Sequence, residues 1–209
     1  MSLSAYHQKV ANHPEDEVAR RQKAKRDELE IVFNQIKPET DSEILRVAVL
    51  GCADKRYVKS HKAIFQELLG KPVELTTFDL TTDHLEDAEG VIQHDCTLPL
   101  PNPPYDVTFS HVLLRFIETD KQWNLLKNSY DALKPGGIAL HILELEDIDR
   151  AEVRLENGLY SVPLKRWLER LDQEKIEYKI IDTEFELAGL DLPRQKSRAL
   201  VLMNCAGTL

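Results

Sequence analysis

The chain has 209 residues and a formal net charge of -9, which is enough for one sizeable core but short for two. The negative charge argues against a nucleic-acid surface built on bulk electrostatics, and no apolar run reaches the roughly 20 residues of a membrane span. Cys52, Cys96 and Cys205 are odd in number and lack C-x-x-C spacing, which indicates neither a disulfide framework nor a zinc site. The amino terminus lacks a secretory pattern. We therefore expect a cytoplasmic protein with no membrane or nucleic-acid partner and no metal.

Residues 1–40 predict an N-terminal helical extension, followed by one domain over residues 41–209. Pro14 suits a helix start and Pro38 a helix stop. Seven residues fall at helical spacing and would share one face of a helix: Val18, Gln22, Lys25, Leu29, Val32, Phe33 and Ile36. Only the later part of this stripe is truly apolar. The basic run 20–26 lies between acidic blocks and is typical of a solvated helix face with local ion pairs. The alternative hypothesis is an amphipathic helix that covers a ligand cleft as a lid.

The stretch Arg46–Ala53 is typical of the start of a nucleotide-binding unit. Arg46–Leu50 is a short, β-branched apolar run, which predicts a strand buried on both faces of a parallel sheet. Gly51 allows a tight turn and a close ligand approach. The spacing of apolar residues then predicts a helix over Tyr57–Leu69. In such a strand–turn–helix unit the ligand lies at the carboxyl end of the strand.

The rest of the chain alternates strand and helix signals. A capping box at Thr119-x-x-Gln122 predicts one helix start, and Pro163 predicts another. Six further strands are predicted, at 73–78, 91–94, 106–110, 138–143, 178–185 and 198–204. This order predicts an α/β fold with an open, mainly parallel seven-stranded sheet and helices on both faces.

Two aspartates close neighbouring predicted strands. Asp79 ends the second strand, where a carboxylate suits a bidentate hydrogen bond to a ribose diol. Asp95 follows the third strand, where a carboxylate can accept from an exocyclic amine. Aspartate also ends strands simply as a turn former. Because both residues stand at matching strand ends, we favour the ligand interpretation.

Several segments, in order, resemble class I S-adenosylmethionine-dependent methyltransferases over roughly residues 40–205. The matching pieces are Val-Ala-Val-Leu-Gly51-Cys52-Ala53, Thr-Thr-Phe-Asp79-Leu80, His94-Asp95-Cys96-Thr-Leu-Pro-Leu-Pro, Tyr105-Asp-Val-Thr-Phe-Ser110-His111 and Leu133-Lys-Pro-Gly-Gly. The resemblance implies a Rossmann-like fold that ends with an antiparallel strand, and S-adenosyl-L-methionine as cofactor. It also implies cofactor contacts from the matched positions Gly51, Cys52, Ala53, Asp79, Leu80, Asp95, Cys96 and Ser110.

The chain departs from that family at the glycine turn. Ala53 and Lys55 replace glycines, and Val49 replaces an acid. The interval from Gly51 to Asp79 exceeds the roughly 20 positions of the dinucleotide fingerprint, which predicts an enlarged loop over residues 54–60. The loop is basic. It is either solvated surface, or Lys55 or Arg56 holds an anion such as the methionine carboxylate.

His111, just beyond the fourth strand, is the candidate catalytic base if the acceptor arrives protonated. The alternative is a histidine that only bonds to backbone, while His141, inside a strand, is expected in the core. The resemblance implies methyl transfer to a small-molecule acceptor. A degenerate fold member that binds or scaffolds without catalysis is the main alternative. A nucleotide-dependent dehydrogenase is disfavoured because a full G-x-G-x-x-G is absent. The sequence gives no oligomeric state.

Overall fold

The computed structural model describes residues 5–155, 158–185 and 195–205. Its centre is one seven-stranded sheet in the order β3-β2-β1-β4-β5-β7-β6. Strand β7 runs antiparallel to both of its neighbours, and the pairs among β1 to β5 are parallel. The strands are β1 Leu45–Leu50, β2 Val73–Asp79, β3 Val91–Gln93, β4 Tyr105–His111, β5 Leu133–Glu144, β6 Glu177–Phe185 and β7 Gln195–Met203. The predicted open, mainly parallel α/β sheet is confirmed.

Five α-helices flank this sheet in the described part of the chain. They are α1 Ala5–Ala11, α2 Glu15–Phe33, α3 Lys55–Leu69, α4 Gln122–Asp131 and α5 Leu164–Gln173. Alternate residues of β1 divide the core: Val47 and Val49 pack with α2 and α3, whereas Ala48 and Leu50 pack with α4 and α5. A strand buried on both faces explains the continuous apolar run read from the sequence.

The order of the strands fixes where a ligand can lie. From β1 the chain passes outward through β2 to β3 on one side, and β4 then pairs with β1 on the other side. A crevice opens at the carboxyl ends of the strands where the winding direction reverses, and open α/β sheets bind ligands there. The carboxyl ends of β1, β2 and β4 therefore define the candidate site.

The predicted enlarged loop at residues 54–60 is wrong. Helix α3 begins at Lys55, and the Asp54 side chain caps it by accepting the Arg56 backbone N–H at 2.8 Å. The long interval between Gly51 and Asp79 is filled by a helix of 15 residues. The basic residues of this segment therefore belong to a helix.

The predicted capping box is also wrong. Helix α4 begins at Gln122, its N-cap is Lys121, and no side chain caps it. The Thr119 hydroxyl instead donates to the Ser161 carbonyl at 3.2 Å. The Gln122 amide lies buried and donates to three carbonyls, those of Leu114, Ile117 and Ser161. Because the Gln122 side chain bonds these three carbonyls, it does not accept a hydrogen bond from the backbone N–H at the start of the helix, as a capping box would require.

The N-terminal segment packs onto the sheet domain. Leu29, Val32 and Phe33 are almost fully buried against the face that carries α3. The predicted apolar stripe therefore packs on a sheet face, and the lid interpretation is wrong for these three residues. No helix within the described ranges is both long and apolar enough to cross a bilayer.

Candidate active site

A cavity of about 570 Å³ opens at the carboxyl edge of the sheet. Eight of the ten predicted site residues line it: Gly51, Cys52, Ala53, Asp79, Leu80, Asp95, Cys96 and His111. The N-terminal helices contribute further lining residues, among them Tyr6, His7, Arg21, Lys25 and Glu28. The volume lies within the ~300–1,000 Å³ usual for small-molecule sites.

Gly51 gives the turn after β1 its shape. Its φ of +76° belongs to the left-handed region, and its N–H donates to the Phe78 carbonyl at 2.7 Å. A Cβ at this position would lie 2.8 Å from a methyl carbon of Leu113. The backbone conformation therefore favours glycine here, and a Cβ would in addition require the Leu113 side chain to shift.

The carboxylate of Asp79 is bonded to the glycine turn. One oxygen accepts the Cys52 backbone N–H at 2.9 Å, and the other accepts the Thr81 N–H at 3.1 Å. Each carboxylate oxygen has a second lone pair, so the group retains acceptor capacity toward the cavity. Asp79 thus shapes the turn at the strand end and also lines the cavity.

The next strand end carries a similar arrangement. Oδ1 of Asp95 accepts both the backbone N–H of Thr97, at 2.9 Å, and its hydroxyl, at 2.8 Å. The turn-forming role of this aspartate is therefore real, although its side chain also lines the cavity. Burial raises the pKa of Cys52 to about 11 and that of Cys96 to about 12, which leaves both thiols protonated and poorly nucleophilic near neutral pH.

Two predicted site residues lie outside the cavity lining. The Arg56 guanidinium bonds the Asp54 carboxylate at 2.6 Å, Glu15 at 2.8 Å and the carbonyl of His13 at 3.0 Å. It thereby connects α3 to the N-terminal helices. The hydroxyl of Ser110 is buried and bonds Nδ1 of His141 at 2.8 Å. These partners, and not the cavity, engage the polar groups of both residues.

His111 forms a pair with an acid that the sequence analysis missed. Its Nε2 lies 2.9 Å from Glu28 Oε2, and Glu28 is fully buried. The other Glu28 oxygen accepts the hydroxyls of Thr183, at 3.0 Å, and Ser197. Burial opposes ionisation of Glu28, but the hydrogen bonds from His111, Ser197 and Thr183 outweigh it and lower its pKa.

The pair defines the tautomer of His111. An ionised carboxylate can only accept, so the Nε2 proton points to Glu28 and Nδ1 keeps its lone pair. Burial and the nearby Lys25 charge lower the pKa of His111 below its usual 6.5, against the opposing effect of Glu28. A neutral imidazole with one nitrogen fixed by a buried acid is the arrangement of an oriented general base.

Lys25 is the second residue missed by the sequence analysis. Its ammonium donates to His61 Nε2 at 2.9 Å and lies 4.8 Å from the centre of the Tyr57 ring. Neighbours in the basic run form ion pairs on the outer surface of α2, such as Arg20–Asp16 and Lys23–Asp27. The sequence pattern that could have identified Lys25 is the helical spacing, which places it on the same stripe as Leu29 and Val32.

Helix α1 closes one side of the cavity. The His7 ring stacks on His84 with 3.8 Å between centroids, and the Tyr6 ring contacts Phe116 at 4.9 Å. His7, His84 and Asp79 have possible metal-ligand atoms within 4.8 Å of one another. However, His84 Nε2 already lies 2.6 Å from the Cys52 carbonyl oxygen. The stacked rings bring α1 against the carboxylate at the end of β2.

No protein-family model matches the sequence, and no curated protein sequence matches it. Solved structures do resemble the fold. An S-adenosylmethionine-dependent methyltransferase from Clostridium acetobutylicum aligns with a TM-score of 0.62 at 11% identity, over 98% of this chain and 100% of the other. The [4+2]-cyclase SpnF aligns with a TM-score of 0.60 at 15% identity, over 87% and 81%. A DhpI–SAM–HEP complex aligns with a TM-score of 0.55 at 17% identity, over 94% and 93%.

The fold is that of the class I methyltransferases: a seven-stranded Rossmann-like sheet with an antiparallel β7 between β5 and β6. At identities of 11% to 17% the likeness establishes architecture only. A [4+2]-cyclase among these structures illustrates that one fold hosts different reactions.

Proposed function

We propose that the protein binds S-adenosyl-L-methionine in the carboxyl-edge cavity and transfers its methyl group to a small-molecule acceptor. The observation that carries the proposal is the Asp79 carboxylate at the end of β2, which is hydrogen-bonded to the Cys52 N–H in the glycine turn after β1. The S-adenosylmethionine-dependent methyltransferase from Clostridium acetobutylicum, which has the same fold, supports the choice of cofactor.

The residues present fit this cofactor. The Gly51–Ala53 turn offers close backbone approach, and Asp79 offers a carboxylate to the ribose hydroxyls. Leu80, Asp95 and Cys96 form the cavity wall beside the next strand end and would contact the adenine. Glu28 and Glu144 also lie in the lining and place negative charge near a positively charged sulfonium, although their carboxylates already bond His111 and Arg115.

The bound cofactor would supply an already activated methyl group, so the protein needs mainly to position the reactants and exclude water. His111 would remove a proton from the acceptor through Nδ1, because Nε2 is held by Glu28. Glu28 would act as a positioning residue for the ring. Among the described residues, Nδ1 of His111 has no hydrogen-bond partner that would block this role.

Calorimetric titration with S-adenosylhomocysteine tests the proposal. We expect wild-type protein to bind, and Asp79→Ala to lose roughly 1.5–3 kcal/mol of binding free energy through lost charge-assisted hydrogen bonds. Asp87→Asn is the control: Asp87 is exposed and pairs with Lys55 at 4.0 Å, and asparagine tolerates its left-handed backbone of φ +68°. Wild-type affinity in folded Asp79→Ala protein would refute the ribose contact. Binding without methyl transfer to any acceptor would favour the non-catalytic alternative.

A further inference from the structure

Lys25 is an unusual cation for the position that it occupies. It lines the cavity, yet among the described residues it forms no ion pair within 4.0 Å. Other basic residues on α2 have carboxylate partners: Arg21 pairs with Glu17, and Arg26 with Glu30. A charge that faces a cavity without an opposite charge is costly unless something compensates it.

The nearest acid supplies only part of that compensation: burial lowers the pKa of Lys25 and outweighs the Glu28 charge, which raises that pKa. Both oxygens of Glu28 are engaged, one by His111 and the other by Thr183 and Ser197. The neighbour that Lys25 does contact is His61, whose Nε2 accepts the bond and which is therefore neutral. Burial and the Lys25 charge also hold the pKa of His61 well below 6.5. The ammonium has three donors and uses one of them on His61, so donor capacity is left for a ligand.

We infer that Lys25 is the anion-binding residue of this cavity and that a ligand places a carboxylate or a similar oxyanion beside it. The inference rests on the proposed function and adds the chemical class of the group bound there. The anion has two possible sources, the methionine carboxylate of the cofactor or an acidic group on the acceptor. Charge complementarity and the free donors apply equally to both. The Tyr57 ring, next to the ammonium, would shield this ion pair from water.

The test compares Lys25→Met with wild type, and Lys23→Met serves as control. Lys23 lies on the same helix, is exposed and pairs with Asp27 outside the cavity. Calorimetry would measure S-adenosylhomocysteine, which carries a carboxylate, and 5′-methylthioadenosine, which does not. If the cofactor supplies the anion, we expect Lys25→Met to weaken binding of S-adenosylhomocysteine at least tenfold and binding of 5′-methylthioadenosine less than twofold. Lys25→Gln provides a second neutral side chain if the methionine variant folds poorly.

If the acceptor supplies the anion, both nucleosides bind Lys25→Met as they bind wild type. Sodium benzoate should then shift the imidazole signals of His61 and His111 in wild-type protein saturated with S-adenosylhomocysteine, and not in Lys25→Met. The inference would be overturned if Lys25→Met bound S-adenosylhomocysteine and 5′-methylthioadenosine more weakly by the same factor. It would also be overturned if Lys25→Met bound both ligands as wild type does and benzoate shifted no imidazole signal in either protein. If wild type binds neither nucleoside, the proposed function fails, and the benzoate titration of unliganded protein still decides the role of Lys25.

Discussion

Glu28 and His111 are 83 positions apart in the chain, and their side chains meet at 2.9 Å inside the protein. The contact joins the N-terminal helix α2 to the carboxyl end of β4. Thr183 on β6 and Ser197 on β7 hold the second oxygen of the same carboxylate. One buried acid therefore links an N-terminal helix to three strands of the sheet and fixes a ring at the cavity wall. Because burial of an ionised group requires such partners, the four residues are expected to act as a unit.

The first prediction concerns the pKa of His111, on which two neighbours act in opposite directions. The Lys25 charge lowers this pKa, whereas the hydrogen bond and charge of Glu28 raise it. We therefore expect Glu28→Gln to lower the His111 pKa and Lys25→Met to raise it. The measurement is an NMR pH titration of the imidazole signals in the two variants and in wild type.

Lys23→Met again serves as the control and should leave the His111 titration unchanged, because its side chain is exposed and points away from the cavity. Shifts of the same sign in both test variants would contradict the structure, since they would indicate a general change of burial. Glu28→Gln should also reduce the free energy of unfolding by about 1–3 kcal/mol, because a charged hydrogen-bond acceptor is lost from a buried position.

The second prediction compares two glycines in the left-handed region. Gly51 has φ +76° and a would-be Cβ contact of 2.8 Å with Leu113, whereas Gly70 has φ +68° and no atom within 4 Å of a would-be Cβ. We expect Gly70→Ala to cost about 1–2 kcal/mol of stability through backbone strain alone. Gly51→Ala should cost more, because Leu113 must also move.

Thermal or denaturant unfolding would measure the stability of both variants, and calorimetry would measure S-adenosylhomocysteine binding. Gly70 lies at the far end of α3, so its variant should keep wild-type affinity. Gly51→Ala should weaken binding, since both the turn and Leu113 line the cavity. If the two variants behave alike, the Leu113 contact has no energetic role.

Local sequence patterns predicted the sheet because local chemistry determines it. Arg46–Leu50 is apolar and β-branched, and it forms a strand with core on both faces. The strand-end aspartates were also predictable, since parallel strands bring their carboxyl ends to one edge. Helix α3 shows the limit of this reasoning. A length rule taken from the dinucleotide fingerprint favoured a loop at residues 54–60, whereas the capping bond of Asp54 starts the helix at Lys55.

The wall formed by α2 could not be located from sequence, because its contacts are long-range. Glu28 had no distinguishing feature in a helix rich in acids, and its partners lie on β4, β6 and β7. Arg56 illustrates the same problem in reverse. It stood next to the glycine turn in sequence, but its guanidinium bonds Glu15 and the carbonyl of His13 on the outer side. Pairings across such distances follow from the tertiary fold and not from local spacing.

The third prediction concerns acid sensitivity. His141 is fully buried between the hydroxyls of Ser110, at 2.8 Å, and Ser129, at 2.9 Å. Burial lowers its pKa from 6.5 to about 3. Because the unfolded state binds a proton that the folded state excludes, the stability from the neutral ring is fully present above pH 6.5. It is lost as the pH falls from 6.5 toward about 3.

His141→Gln removes the titrating group while retaining a hydrogen-bonding side chain. Urea unfolding at several pH values should show a shallower loss of stability in this variant, by up to about 1.4 kcal/mol per pH unit in that window. An unchanged slope would mean that the folded state takes up a proton at His141 as readily as the unfolded state, so that burial does not lower its pKa. The comparison relies on the slope with pH, so a uniform loss of stability from imperfect packing does not affect it.

The last prediction separates the two parts of the N-terminal segment. Tyr6 and His7 on α1, and Arg21, Lys25 and Glu28 on α2, line the cavity, whereas Leu29, Val32 and Phe33 are already packed in the core. We expect S-adenosylhomocysteine to slow amide hydrogen exchange in residues 5–11 and 21–28. Exchange across 29–33 should change little, because burial protects this turn without ligand.

Arg56→Met provides the matched perturbation, because Arg56 bonds the carbonyls of Val10, at 3.2 Å, and Ala11, at 3.4 Å, at the end of α1. The variant should speed exchange in α1 and weaken S-adenosylhomocysteine and 5′-methylthioadenosine by the same factor, since the change acts through the position of the helix and not through a contact with the carboxylate. A loss confined to the carboxylate-bearing ligand would instead assign Arg56 the anion-binding role. Unchanged exchange in residues 5–11 on ligand binding would show that α1 does not form part of the occupied site.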